Sequence, residues 1–143
     1  ATPAPPTPTP VPTPTSPSTS FVVDDHGTGR SSATEINLTV SNSINVYGRI
    51  GHRGDVDTFS FRSSNGETFA FEAVYLLRGT IVTAIGHPDL ILYNVSSSTP
   101  LAIDDHGGLL FYRTGGGTMY LDVSSYSASL TSDYMISVLR IGP

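Results

Sequence analysis

From Thr34 onward the chain alternates, and that alternation restricts what it can become. In Asp57-Thr58-Phe59-Ser60-Phe61-Arg62 the aromatic rings occupy every second position, with hydroxyls or charges between them. Thr68-Phe69-Ala70-Phe71-Glu72 and Tyr134-Met135-Ile136-Ser137-Val138-Leu139 follow the same period less strictly. A period of two places one set of side chains on one face of a strand and the other set on its back. No segment carries a 3.6-residue apolar stripe of helical length. The periodicity predicts strands at Thr34–Val40, Ile44–Ile50, Asp57–Arg62, Thr68–Leu77, Leu90–Val95, Leu109–Arg113, Thr118–Val123 and Tyr134–Ile141. Ser63-Ser64-Asn65-Gly66 offers Asn-Gly for a hairpin turn, and Gly115-Gly116-Gly117 is expected to break the pattern. His87-Pro88 is expected to be extended and to end what precedes it. Short strands at close spacing with turn signals between them predict an all-β fold: a single antiparallel β-sandwich or jelly-roll-like domain over residues 21–143.

Residues 1–20 are of another kind. ATPAPPTPTPVPTPTSPSTS holds only Pro, Thr, Ser, Ala and one Val. It lacks the apolar bulk for a core, and its prolines remove backbone donors, so it reads as an extended tail or linker. From Thr7 to Thr15, Pro8, Pro10, Pro12 and Pro14 alternate with Thr7, Thr9, Val11, Thr13 and Thr15. In an extended chain alternate residues direct their backbone groups to the same edge. One edge of this tract has no donors, whereas the Thr/Val edge keeps them. Such a segment can pair on one side only, as an edge strand. Val11, with Phe21, Val22 and Val23 behind it, supplies candidate apolar anchors for an assembly contact. Thr7, Thr9, Thr13 and Thr15 are candidate O-glycan acceptors, since Pro-rich Ser/Thr tracts are mucin-like.

Composition narrows the function classes. Charged residues are only 13% of the chain, so its surface is built largely from Ser, Thr, Asn and Gly, as suits an extracellular β-protein. There is no lysine, and the formal charge is −5, which argues against a nucleic-acid partner. There is no cysteine, hence neither a disulfide framework nor a thiolate metal site. No apolar run approaches the ~20 residues that span a bilayer. A chain opening on Ala1 is expected to be a mature secreted protein, extracellular or held at a cell surface.

Four segments in order carry a resemblance. Gly54-Asp55-Val56-Asp57-Thr58-Phe59 resembles the "GDxDxF" strand of bacterial pre-peptidase C-terminal domains. Leu90-Ile91-Leu92-Tyr93, followed by Leu101-Ala102-Ile103-Asp104-Asp105, resembles that family's "LxLYD…LASDDD" segment. Gly117-Thr118-Met119-Tyr120-Leu121-Asp122-Val123-Ser124 resembles its "GTYYLxVS" strand, and Asp133–Val138 its closing "YTLSV" strand. The chain departs from the pattern at Asn94, where Asp is common, and in a longer apolar stretch over Phe69–Ile85. The resemblance implies a secreted jelly-roll-like sandwich, usually appended to hydrolases and not itself catalytic. Related modules bind calcium and substrate, which makes Asp24, Asp25, Asp104 and Asp105 the candidate calcium ligands.

Read without that resemblance, the repeated Asp-Asp-His-Gly strings at 24–27 and 104–107 are turn-forming. Short carboxylates cap their own turns, and no twelve-residue calcium loop is present. His26, His52, His87 and His106 show no His-x-x-x-His spacing. No Gly-x-Ser-x-Gly elbow and no phosphate loop occur. Tyr75, Tyr93, Tyr112, Tyr120 and Tyr126 would suit a sugar or collagen platform, against which stands ordinary use as sandwich packing. Asn37-Leu38-Thr39 and Asn94-Val95-Ser96 are N-glycosylation sequons, giving candidate acceptors Asn37 and Asn94. The expectation is a non-enzymatic structural subunit that needs no cofactor. It would self-assemble head to tail through its tail into a glycosylated filament. The alternative is an accessory calcium- and polymer-binding module of a secreted hydrolase.

Overall fold

The computed structural model describes residues 25–39, 41–104, 107–127 and 130–142. The assembly candidates Val11, Phe21, Val22 and Val23, the acceptors Thr7, Thr9, Thr13 and Thr15, and Asp24, Asp105 and His106 lie outside the described residues. The described residues form eight strands: β1 (Thr34–Glu35), β2 (Ser43–Ile50), β3 (Val56–Leu77), β4 (Thr80–Val82), β5 (Asp89–Asn94), β6 (Ala102–Asp104), β7 (Leu109–Ser124) and β8 (Ser132–Gly142). A single 3-10 turn covers Arg30–Ser32, and the described residues include no α-helix.

The hydrogen-bonded path runs β2-β8-β3-β7-β5-β6, with β1 and β4 also on β3. Strand pairing is antiparallel except for the short β1–β3 contact. Two strands are long enough to serve two layers. The first half of β3 pairs with the second half of β7, which pairs in turn with β5. The second half of β3 lies between β8 and the first half of β7. One layer is therefore β1-β3-β7-β5-β6 and the other β2-β8-β3-β7, with β3 and β7 bent across both. Their inner faces enclose one core, in which Phe59, Phe61, Phe69, Phe71, Leu92, Leu121, Tyr134 and Ile136 are buried. Phe61 meets Phe69 and Phe71 across the bend, with ring centroids 5.1 and 5.5 Å apart.

The bend corrects the expected hairpin. Ser63–Gly66 does not reverse the chain; it lies inside β3, and Gly115–Gly117 lies inside β7 opposite it. The register shifts between Asn65 and Thr68, and Gly66, Gly116 and Gly117 all take positive φ (87°, 84° and 100°). A bulge with left-handed residues sharpens twist and turns a strand between sheets. A second correction concerns Thr34–Val40. Of its described residues only Thr34–Glu35 are strand, because Asn37 Oδ1 accepts the Thr39 N–H (2.9 Å) and draws the chain into an Asx turn. Ile36 and Leu38 still reach the core.

Candidate functional site

Asp57 shares the parity of Phe59 and Phe61, and so it points inward with them. It is fully buried on β3. Its Oδ2 accepts a 2.5 Å hydrogen bond from the Tyr134 hydroxyl of β8, while its Oδ1 is buried without a partner. Burial pushes the Asp57 carboxyl up to about 7, and the charges of Asp55 and Asp25 add to the rise against the lowering effect of the Tyr134 hydrogen bond. The same burial, and the hydrogen bond to Asp57, lift Tyr134 far above the ordinary tyrosine range, so its hydroxyl remains a donor. Gly48 is the cross-strand partner of Tyr134 and makes room for it. A Cβ at Gly48 would stand 2.2 Å from Tyr134 Oη and 2.9 Å from the His26 ring.

Asp55 is buried beside this pair. Its Oδ2 accepts from the Gly51 N–H at 2.5 Å, and its Oδ1 has no hydrogen-bond partner. Asp25 Oδ1 accepts from the Arg49 backbone N–H (3.2 Å), and His26 places Nδ1 on Thr34 Oγ1 and Nε2 on the Tyr47 carbonyl. A cleft opens next to the cluster between Asp25, Tyr47, Arg49, Leu76, Asp133 and Tyr134. Asp57 does not line that cleft. A general acid must come within about 3 Å of the atom it protonates, and Asp57 is sealed from one.

The second Asp-Asp-His-Gly string does different work. Asp104 Oδ1 accepts from the Gly107 N–H (3.1 Å) and its Oδ2 from the Leu109 N–H (2.7 Å), closing the turn from β6 into β7. Asp25 and Asp104 stand on different elements and share no partner. Among the described residues no group of three or more His, Asp or Glu is placed to hold a metal ion. Each Asp104 oxygen accepts from one backbone donor.

The remaining candidates are dispersed. Asn37 and Asn94 each sit in an Asx turn, with Oδ1 accepting from the hydroxyl of Thr39 or Ser96, and both side-chain amide nitrogens are left for other partners. The five tyrosines form no common platform. Tyr75 is buried, Tyr112 packs on the core and Tyr126 is exposed. Tyr93 and Tyr120 are cross-strand neighbours covered by Arg30, whose guanidinium lies 5.6 and 5.3 Å from their centroids. Arg30 also donates to the Val95 and Ser97 carbonyls, pinning the loop after β5. Of the histidines, His52 is exposed against the Arg53 carbonyl and His87 holds the Ala73 carbonyl.

Sequence reasoning passed over the outer face of the β2-β8-β3-β7 layer. The register aligns Ser43, Leu139, Ala70 and Phe111 in one row across four strands. Leu139 is 44% exposed and Phe111 59%, and Leu109, Ile141 and Tyr47 stand exposed around them. The outward parity of Leu109 and Phe111 relative to buried Leu110 was the available signal.

No protein-family model matches the chain, and no curated protein matches it. Solved structures do. The pre-peptidase C-terminal domain of a Bacillus anthracis collagenase aligns with a TM-score of 0.56 at 20% identity, over 74% of this chain and 93% of that one. PliG from Aeromonas hydrophila, a periplasmic inhibitor of g-type lysozyme, aligns at 0.59 with 9% identity, over 76% and 95%. A mutant of the Escherichia coli inhibitor PliG-Ec aligns at 0.55 with 14% identity, over 76% and 96%. The β-sandwich is pre-peptidase C-terminal-like in fold.

Proposed function

We propose that this chain is a non-catalytic extracellular structural subunit whose copies assemble through the N-terminal tract. The observation that supports it is the apolar outer face around Phe111 and Leu139. Contiguous exposed apolar patches of this kind mark interaction surfaces. Asp57 does not line the neighbouring cleft, and its pair with Tyr134 serves packing. A heterologous contact between tail and domain that does not close on itself propagates into a filament. Deleting residues 1–20 is expected to leave soluble monomers in sedimentation and electron microscopy, while the full chain forms fibres. Fibres that persist in the deletion variant overturn the reading. Intact-mass measurement of native material would find glycans on the Thr/Pro tract or at Asn37 and Asn94.

The second reading is an accessory module of a secreted hydrolase, binding calcium and a polymer. The likeness to a collagenase domain favours it. On that reading Asp24, Asp25, Asp104 and Asp105 are the candidate calcium ligands. A melting temperature that rises with calcium and falls with chelator supports it; no shift removes the calcium part.

A further inference from the structure

A β-sheet ends in two edges, and each offers unpaired backbone groups to any extended chain that reaches it. In the β2-β8-β3-β7 layer the two edges are treated differently. Within a strand the N–H and C=O of one residue point to the same side, and successive residues alternate. On β2 the outward-pointing residues are Ser43, Asn45, Tyr47 and Arg49. Ser41 Oγ takes both the Ser43 N–H and the Ser43 carbonyl (3.2 and 2.8 Å). His26 takes the Tyr47 carbonyl (2.8 Å), and Asp25 takes the Arg49 N–H (3.2 Å). Side chains thus block this edge at three of its four outward positions.

The opposite edge is the first half of β7. Leu109 N–H points outward to Asp104, so Phe111 and Arg113 also direct their backbone groups away from β3. Among the described residues no strand pairs with that side of 109–113, and no side chain caps the Phe111 or Arg113 backbone. Phe111 and Leu109 are exposed directly above this edge. The other free margins belong to β1, β4 and β6, which are only two or three residues long.

We propose that the β7 margin at Phe111–Arg113, beyond the Leu109 N–H that Asp104 takes, forms the acceptor edge for the Thr7–Thr15 tract of another copy of this chain, added as one further strand. The proposal rests on the assembly reading above and names its contact. Four facts select this occupant. The tract is uncharged, so it brings no charge against exposed Leu109 and Phe111. Every second residue from Thr7 to Thr15 keeps its N–H, matching the period of the open edge, and each residue before a proline is already biased to extended backbone. The intervening prolines face away and admit no further strand, so addition stops at one. Twenty-four residues precede Asp25, long enough to reach beyond the domain at about 3.1 Å per residue. The described chain starts beside Arg49 on β2, at the margin opposite to β7. Donor and acceptor on opposite margins of one sheet place the next copy alongside and leave a new open edge beyond it.

The test uses the full-length chain, which has no native cysteine. Phe111→Cys is mixed with copies carrying one cysteine at each position from Thr7 to Thr15, and the mixture is oxidised. Strand addition brings one parity of tail positions into disulfide reach and turns the other to the opposite face. Crosslinks between Phe111→Cys and alternate tail positions are expected; crosslinks at both parities, or none, overturn the proposal. Thr9→Pro with Thr13→Pro removes two facing donors without touching the folded domain. It is expected to raise the critical concentration for assembly at least about tenfold, whereas Pro10→Ala with Pro12→Ala, which keeps every facing donor and loses only the bias to extended backbone, raises it less. Equal effects of the two pairs would exclude a hydrogen-bonded edge. If the full chain assembles and deletion of residues 1–20 abolishes it, but these variants behave alike, the assembly reading survives and the β7 edge is wrong. If the full chain never assembles, both fail.

Discussion

Asp57 is the residue whose environment most departs from the ordinary. A carboxyl that titrates near 7 when folded and near 4 when unfolded takes up protons on folding between those values. Its favourable contribution is complete below the unfolded value and is lost as pH rises through about 7. The melting temperature is expected to fall between pH 5 and pH 8, and Asp57→Asn should flatten that fall, gaining a few kcal/mol on the wild type at pH 8. Parallel pH profiles for the two proteins would contradict this. Gly48→Ala should cost about 1–3 kcal/mol by overpacking against Tyr134, measured by denaturant unfolding. Tyr134→Phe in the same chain would not restore stability, because the ring carbon Cζ also stands 2.4 Å from the added Cβ.

At the scale of elements, the corner formed by β3 and β7 carries a graded prediction. Gly116 and Gly117 both adopt positive φ, so alanine at either is strained by roughly 1–2 kcal/mol. An added Cβ at Gly116 also comes within 3.0 Å of the Asn65 backbone nitrogen, while at Gly117 it meets nothing. Gly116→Ala is therefore expected to destabilise more than Gly117→Ala in parallel melts, and the reverse order would contradict the corner geometry. This corner also marks the limit of the sequence. Alternation located the strands, because burial on one face writes itself into every second residue. It also held the position of Asp57, on the parity of Phe59, and of Tyr134, on the parity of Ile136. It could not separate a hairpin turn from a bulge at Ser63–Gly66, since both use Asn and Gly for positive φ. The register of β7 against β3, a partner some fifty residues away, decides between them. The two copies of Asp-Asp-His-Gly were equally silent: identical strings, one against β2 and one closing the turn into β7.

For the whole molecule, the core is continuous from one layer to the other. Phe71 is fully buried against Phe61 and Phe69. Phe71→Ala should cost about 3–5 kcal/mol and melt both layers in one transition, which calorimetry would register as a single peak. Two separate transitions would show the layers to be independent.

Because β3 and β7 each run through both layers, the sandwich has no seam along those two strands. A force drawing the layers apart cannot simply unzip one sheet from the other; it must straighten a bent backbone or tear hydrogen bonds in both layers at once. A domain stitched in this way is suited to carrying tension.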